Sequence, residues 1–218
     1  MQPTSNSFAN TFYLIIALLP LAPVLLVFLQ KKYDATPMNF LVIVCLLGLV
    51  KGLPDRFPLL NTDNQYITRN IISLLELVAY IQLFKTVMSP TWRAGLNIFL
   101  VAFLSSLLTY FFLKGWERRS PGLDILESGV MVGVIIVSLL SLVRSRILQI
   151  FQSPLFWIAG GSLFYFMLFM LVEGSGPCCM PAGMTPNAEY SILLSIAGLI
   201  RYGFYIGAVL VCPRNVTP

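Results

Sequence analysis

Long apolar runs separated by short polar segments constrain this sequence more than any other feature. Seven such runs follow one another along the 218 residues, at approximately 11–30, 38–53, 67–88, 94–113, 124–143, 155–173 and 189–212. A helix needs about 20 apolar residues to cross the hydrocarbon core of a bilayer. We therefore predict an all-α, polytopic membrane helical bundle of about seven transmembrane helices, which forms a single transmembrane domain over 1–218.

The charged residues are too few to cover a soluble surface. Only 11% of the residues are charged and 57% are hydrophobic, whereas soluble domains carry about 25% charged residues. The net charge of +5 comes largely from basic residues beside apolar runs, such as Lys31-Lys32 and Arg118-Arg119. This is the pattern of loops that flank membrane helices. We therefore expect the lipid bilayer as a partner and no nucleic acid.

The first run carries Pro20 and Pro23 within LLPLAPVLL, and a kink is predicted there because neighbouring membrane helices tolerate prolines. No basic residue precedes this run, so we expect a retained helix rather than a signal peptide.

Counting Lys and Arg in the short loops predicts a multi-pass protein of the cell membrane with its N-terminus outside and its C-terminus cytoplasmic. The adjacent Cys178 and Cys179 would then face outward, in either redox state.

A carboxylate, Glu76, stands at the centre of run 67–88. Arg69, Ser73, Glu76 and Tyr80 follow one another at spacings of four, three and four residues, so they share one helical face. A carboxylate that faced lipid would be strongly unfavourable. This face of the helix must therefore point into the bundle.

Arg201 is the basic residue nearest the centre of run 189–212. If both helices start on the same side of the membrane, Glu76 and Arg201 lie at depths that agree within one turn, at about 1.5 Å per residue. We therefore predict a Glu76–Arg201 ion pair, which would either fix helix packing or form part of a ligand or ion site. Four polar side chains are candidates for supporting hydrogen bonds: Ser73, Tyr80, Tyr202 and Tyr205.

A second polar cluster is predicted at the outer end of the bundle. Arg69 opens the third run, Glu127 lies in the first turn of the fifth, and Glu173 closes the sixth. The three would share one end of the bundle, where they could rim a cavity open to the outside.

Small and aromatic residues have structural interpretations. The pairs Gly129–Gly133 and Gly203–Gly207 both match G-x-x-x-G, which lets helices approach closely. Inside one bundle we expect them to pack against neighbouring helices of the same chain. The three tryptophans fall near run ends, as interfacial anchors do: Trp92, Trp116 and Trp157.

The chain contains no histidine. This excludes haem held by paired imidazoles, His-rich di-iron sites and most catalytic zinc sites, and it removes the commonest general base. The four cysteines form no metal-ligand pattern, and no membrane-protease or nucleotide motif is present. We therefore predict no metal, no cofactor and no catalytic residue, and an enzyme is the least favoured class.

Three segments carry a resemblance to known proteins: RNIISLLELVAYIQLF (69–84), SPLFWIAGGSLFYFMLFML (153–171) and ILLSIAGLIRYGFYIGAVLV (192–211). Their Asn-x₅-Glu, Pro-x-Phe-Trp-Ile-x-x-Gly and polar last helix look like those of small seven-helix membrane proteins of Bacteroidota. Such proteins are similar to the membrane sensor portions of seven-transmembrane signalling receptors. The resemblance implies a sensor, with a sensor kinase as a partner.

We therefore expect a sensor or receptor-like integral membrane protein that binds a small or lipophilic ligand. We expect no kinase, cyclase or response domain to be fused to the helices, and we therefore expect signalling through a separate membrane or cytoplasmic partner. Two alternatives stay open. One is a small transporter or channel that uses Glu76 for proton or cation coupling, and the other is an accessory scaffold subunit of a membrane complex. The oligomeric state is also open.

Overall fold

The computed structural model describes residues 14–33, 35–52, 62–115, 121–145, 147–175 and 186–213. Within these ranges the chain forms seven α-helices and one short 3₁₀ helix, Ile147–Gln152, and no strand. The α-helices are α1 (Leu21–Leu29), α2 (Thr36–Gly52), α3 (Thr62–Lys85), α4 (Pro90–Lys114), α5 (Pro121–Ser145), α6 (Pro154–Ser175) and α7 (Pro186–Val211). The predicted all-α bundle is confirmed, and each predicted run overlaps one helix.

Five helices are long and apolar enough to cross a membrane: Ile67–Lys85, Pro90–Lys114, Gly122–Arg144, Pro154–Gly174 and Ile192–Val211. The apolar helices Leu14–Leu29 and Thr36–Gly52 are shorter. Large apolar side chains cover the outside of the bundle, and Phe112 and Leu113 are each 79% exposed. Contiguous apolar surface of this kind is rare on soluble proteins. The chain is therefore a membrane helical bundle.

The predicted kink in the first helix is present. Residues 14–18 are helical, and a turn at Leu19-Pro20 separates them from α1. Proline has no backbone N–H and clashes with the preceding turn, so it interrupts the helix. Pro23 lies in the first turn of α1, where backbone N–H groups have no partner within the helix and a missing one is tolerated.

The helices pack around a core to which α3 and α7 contribute fully buried tyrosines, Tyr80 and Tyr205. The interface between α6 and α7 is the most extensive, followed by that between α5 and α6. On the other side, α2 packs against α3, and α1 packs against both α2 and α7. Helix α4 touches the bundle mainly through α3 and presents most of its surface outward.

Two glycines explain why α6 and α7 lie so close together. A Cβ atom on Gly161 would lie 2.6 Å from the Cβ of Phe204 and 3.0 Å from the carbonyl oxygen of Arg201. A Cβ atom on Gly160 would lie 3.1 Å from the Phe204 ring. Any larger residue at Gly161 would separate the two helices. This contact brings Arg201 up to α6.

The two G-x-x-x-G pairs divide between packing and open positions. Gly207 packs against Trp157, whose ring would be 3.1 Å from an added Cβ, and a Cβ added to Gly129 would lie 3.6 Å from Met170 Cε, an ordinary contact distance. The prediction of packing within the bundle was wrong for the other member of each pair, Gly133 and Gly203. No described atom outside the local helix backbone lies within 4 Å of a Cβ built on either of them.

The described tryptophans lie in the first turns of helices, as predicted. Trp92 in α4 is 58% exposed, and the indole Nε1 of Trp157 in α6 donates a hydrogen bond to the Phe151 carbonyl at 2.8 Å. Trp116 lies outside the described residues.

Candidate functional site

The structure brings Glu76 and Arg201 together. Glu76 lies on α3 and Arg201 on α7, and Arg201 Nη2 is 2.8 Å from Glu76 Oε1. Glu76 is 6% exposed and Arg201 is 4% exposed. In such surroundings each charge needs the other, because an unpaired buried charge is strongly destabilising.

Three hydroxyl groups complete the hydrogen bonding of the pair. The hydroxyl of Ser162 on α6 donates to the carbonyl of Ile158 at 2.7 Å. The hydroxyl of Tyr205, 2.7 Å from Ser162 Oγ, must then donate to that oxygen. By the same reasoning Tyr80 donates to Tyr205.

Arg201 supplies the remaining protons of this network. Its Nε donates to Tyr205 at 2.9 Å, and its Nη2 donates to both Glu76 and Tyr80. The Nε and Nη2 donors of Arg201 and the three hydroxyls therefore each have an acceptor, and the hydrogen bonds run in one direction from Arg201 to the backbone of α6. Within the described ranges, no buried side-chain nitrogen or oxygen lacks a hydrogen-bond partner.

Aromatic rings surround the guanidinium. The Cζ atom of Arg201 lies 4.7 Å from the centre of the Tyr165 ring. Cations within about 6 Å of a ring centre are attracted by its negative face. Four further ring centres lie 5.4 to 5.7 Å away: Tyr80, Phe166, Tyr202 and Tyr205.

A second cation reaches the same carboxylate. Lys51, in the last turn of α2, places its Nζ 3.3 Å from Glu76 Oε2, and its side chain is 31% exposed. Sequence reasoning did not single out Lys51 and missed this contact. The available signal was the length of the lysine side chain, which can follow apolar surface and extend its ammonium group away from its backbone position.

A small cavity lies beside Glu76, on the side that Lys51 occupies. Its volume is about 40 Å³, enough for a few water molecules or a small ion. We call it the carboxylate cavity. Its polar lining consists of Lys51, Ser73, Glu76, Tyr80, Asp124, Glu127, Ser128 and Tyr165.

A larger cavity lies beside Arg201. Its volume is about 290 Å³, and it is lined by residues from the stretch 16–20, α2, α6 and α7. We call it the glycine cavity, because Gly48, Gly52 and Gly198 line it together with Arg201. Tyr165 lines both cavities, so its ring and the ion pair separate the two spaces.

The predicted site residues divide among these features. Ser73 lines the carboxylate cavity, and Tyr80 and Tyr205 bond to Arg201. Tyr202 packs its ring near the guanidinium without a hydrogen bond to it and lines the glycine cavity.

Of the predicted outer cluster, Arg69, Glu127 and Glu173, only one residue lines the carboxylate cavity. That residue is Glu127. Arg69 and Glu173 are not among its lining residues, and Lys51 and Asp124 take part instead. The C-terminal end of α2 and the N-terminal end of α5 lie beside this cavity, and Lys51 and Asp124 stand at these two ends. Cys178 and Cys179 lie outside the described residues.

Sequence reasoning also missed Ser162, Tyr165 and Asp124. Ser162 directly follows Gly160-Gly161, and such small residues mark close helix crossings, so this signal was present. Asp124 stands in the first turn of α5 and gave no sign of which neighbour it faces. Tyr165 gave no such signal either, since aromatic residues occur throughout the sixth run.

Helix α7 is held at its C-terminal end as well as at Arg201. The Nζ of Lys32, which follows α1, donates to the Val209 carbonyl at 2.6 Å, and Lys32 is only 3% exposed. A cation near the C-terminus of a helix bonds its unpaired carbonyls and favours the helix dipole. The last helix is therefore tied to α3 and α6 at its middle and to the α1–α2 connection at its end.

In the part of the chain that the structure describes, no three His, Cys, Asp or Glu side chains are grouped to hold a metal ion. Comparison of the chain with protein families, with curated proteins and with solved structures finds no match. A functional assignment therefore rests on the site itself.

Proposed function

We propose that this chain is a sensor or receptor-like integral membrane protein that binds a small ligand at the centre of its bundle and signals through a separate partner. The observation that carries the proposal is that Arg201 belongs to a buried hydrogen-bonded network and also lines a cavity of about 290 Å³. An ion pair that only fixes helix packing needs no such space. Ligand pockets typically have volumes of about 300–1,000 Å³.

Helix α7 supports a signalling role. A ligand that contacts Arg201 acts on this helix, whose C-terminal end is bonded to Lys32. A small shift of α7 would therefore also move the C-terminal end of this helix, at the membrane face where α7 ends. On the same face, the exposed Arg144 of α5 would be available to a partner. The resemblance of three segments to small seven-helix proteins of Bacteroidota favours the same class.

We propose the orientation with the N-terminus outside and the C-terminus cytoplasmic. A count of Lys and Arg in and beside the short connections along the sequence supports it by seven residues to six, because cytoplasmic loops carry an excess of these residues. The seven are Lys31, Lys32, Lys85, Arg93, Arg144, Arg146 and Arg214. Both cavities then lie nearer the outer side, since Lys51 and Asp124 stand at the outer ends of their helices.

A second candidate function is proton-coupled or cation-coupled transport. The carboxylate cavity favours it, since Asp124 and Glu127 line this space beside Glu76. A transport carboxylate must release its partner in each cycle. Glu76 instead has two partners that belong to the protein, at 2.8 Å and 3.3 Å, so we rank transport second.

The two functions are separated by flux and stabilisation measurements on one preparation. The full chain is reconstituted in proteoliposomes under a pH gradient, and its melting temperature is measured with octanoate, octylamine and octanol as probes. A sensor shows saturable stabilisation by a probe and no flux. Flux that Glu76→Gln abolishes and Glu173→Gln preserves would establish transport instead. A chain that is unstable alone and copurifies with a partner would indicate the scaffold role.

A further inference from the structure

The glycine cavity is space that the described residues leave unfilled. Gly198 is buried, yet no described atom outside the local helix backbone lies within 4 Å of a Cβ built on it. Gly52 has the same free space. At Gly48, by contrast, an added Cβ would lie 2.8 Å from the Tyr202 hydroxyl. Protein interiors are normally close-packed, so open space around a buried glycine indicates room for another molecule.

Hydrogen-bond donors meet at the inner end of this cavity. The hydrogen bonds that Arg201 makes to the described residues use Nε and Nη2, which leaves the two N–H groups of Nη1 for a further acceptor. The hydroxyls of Tyr202 and Ser195 belong to lining residues of the same space. A guanidinium with neighbouring hydroxyls is suited to carboxylate and phosphate oxygens.

The charges favour an anion over a cation. Arg201 is the only charged residue among the described residues that line the glycine cavity, whereas Asp124 and Glu127 line the carboxylate cavity beyond the ion pair. An anion in the glycine cavity would lie beside a guanidinium, whereas a cation there would meet no acidic residue among the described lining residues.

The remaining walls are apolar and border the lipid. Ile16, Ala17, Pro20 and Leu194 line the cavity. The helical stretch 14–18 that forms one wall also presents Ile15 outward, with 58% of this residue exposed. An apolar chain could therefore lie along this wall and reach the cavity from the bilayer.

We infer that the glycine cavity binds an anionic amphiphile, a monoanionic head group attached to an apolar chain, with the head group on Arg201 and the chain between residues 14–20, α2 and α7. This inference rests on the proposed sensor function and names its ligand class. The head group is the carboxylate of a free fatty acid or the phosphate of an anionic phospholipid, which share this chemistry.

The test uses the full chain in phosphatidylcholine nanodiscs, with labelled octanoate as the probe and empty nanodiscs as the background. We expect saturable binding of octanoate. Unlabelled octylamine and octanol should compete at least about tenfold more weakly, because hydrogen bonds to a charged partner are lost. Competition by phosphatidylglycerol in the nanodisc would assign the head group to a phospholipid, and its absence would assign it to the free acid.

A matched pair of variants locates the binding. Gly198→Leu fills the cavity from a position with free space, and should weaken octanoate binding by at least about tenfold. Gly203→Leu makes the same change on the exposed side of the same helix, and should leave binding unchanged. Both are expected to fold, so the test does not depend on replacing Arg201.

The outcomes separate this inference from the proposed function. Equal binding by both variants, or no saturable octanoate binding, would overturn it. If octylamine or octanol binds better than octanoate and Gly198→Leu abolishes that binding, the inferred anionic ligand is wrong, but the proposed sensor function is retained. Flux dependent on Glu76 with no saturable binding would overturn both.

Discussion

At the scale of single residues, Tyr205 joins the charged pair to α6. Its hydroxyl accepts from Arg201 Nε and donates to Ser162, which in turn donates to the α6 backbone. Tyr202 lies three residues earlier on α7 and also packs near Arg201, but its hydroxyl makes no hydrogen bond to the pair. Comparing substitutions at the two tyrosines therefore separates the contribution of the hydroxyl to stability from that of the ring.

Tyr205→Phe should destabilise the protein by about 1–3 kcal/mol, because it leaves buried donors without an acceptor. Tyr202→Phe keeps the ring and should change the stability by less than about 0.5 kcal/mol. The free energy of unfolding in detergent, followed by circular dichroism, measures both. Equal losses would show that the hydroxyl of Tyr205 has no special place in the network.

Lys51→Met should destabilise by no more than about 1 kcal/mol, because Lys51 is 31% exposed and solvent screens its interaction with Glu76. Arg201 still neutralises the carboxylate in this variant. The same unfolding measurement tests this, with Lys85→Met as a control that removes a lysine distant from Glu76. A loss as large as that of Glu76→Gln would mean that Lys51, and not Arg201, is the main partner.

At the scale of helices, the interface between α6 and α7 depends on Gly161. The length of the apolar runs and the face shared by Ser73, Glu76 and Tyr80 are local properties, so the sequence alone predicted them. Which helices approach most closely is decided by pairs of residues distant in the chain, such as Gly161 and Phe204. For this reason the sequence signalled a close crossing at Gly160-Gly161, but its partner Phe204 appeared only in the structure.

Gly161→Ala should destabilise by about 1–3 kcal/mol, because overpacking forces the two helices apart. Gly203→Ala has free space around its Cβ and should be neutral or stabilising by up to about 1 kcal/mol through helix propensity. Melting temperatures of the two variants in one detergent compare them directly. A neutral Gly161→Ala would contradict the close approach of α6 and α7.

At the scale of the whole molecule, hydropathy predicted the seven-helix bundle, and equal depth in the membrane predicted that Glu76 and Arg201 could meet. The sequence did not predict the partition between two cavities. That partition depends on how Tyr165, Lys51 and Gly198 are oriented once five helices have assembled, and no local pattern carries this information.

The proposed orientation is tested by cysteine labelling in intact cells, on a background in which the four native cysteines are replaced. Lys114→Cys, at the exposed end of α4, should react with a membrane-impermeant maleimide from outside. Tyr33 lies at the opposite face and is 44% exposed. A cysteine placed there, Tyr33→Cys, should therefore react only after permeabilisation. The reverse pattern would invert the orientation.

The buried Glu76–Arg201 pair is tested most directly by a double-mutant cycle on the free energy of unfolding in detergent. We predict that Glu76→Gln and Arg201→Gln each destabilise by about 3–5 kcal/mol, because each leaves a buried charge without its buried partner, and Lys51 is too exposed to replace Arg201. The double variant should lose less than the sum of the two by about 0.5–3 kcal/mol, the range found for residues in contact. Neutral single variants, or losses that add fully, would contradict the pair on which the account of this protein depends.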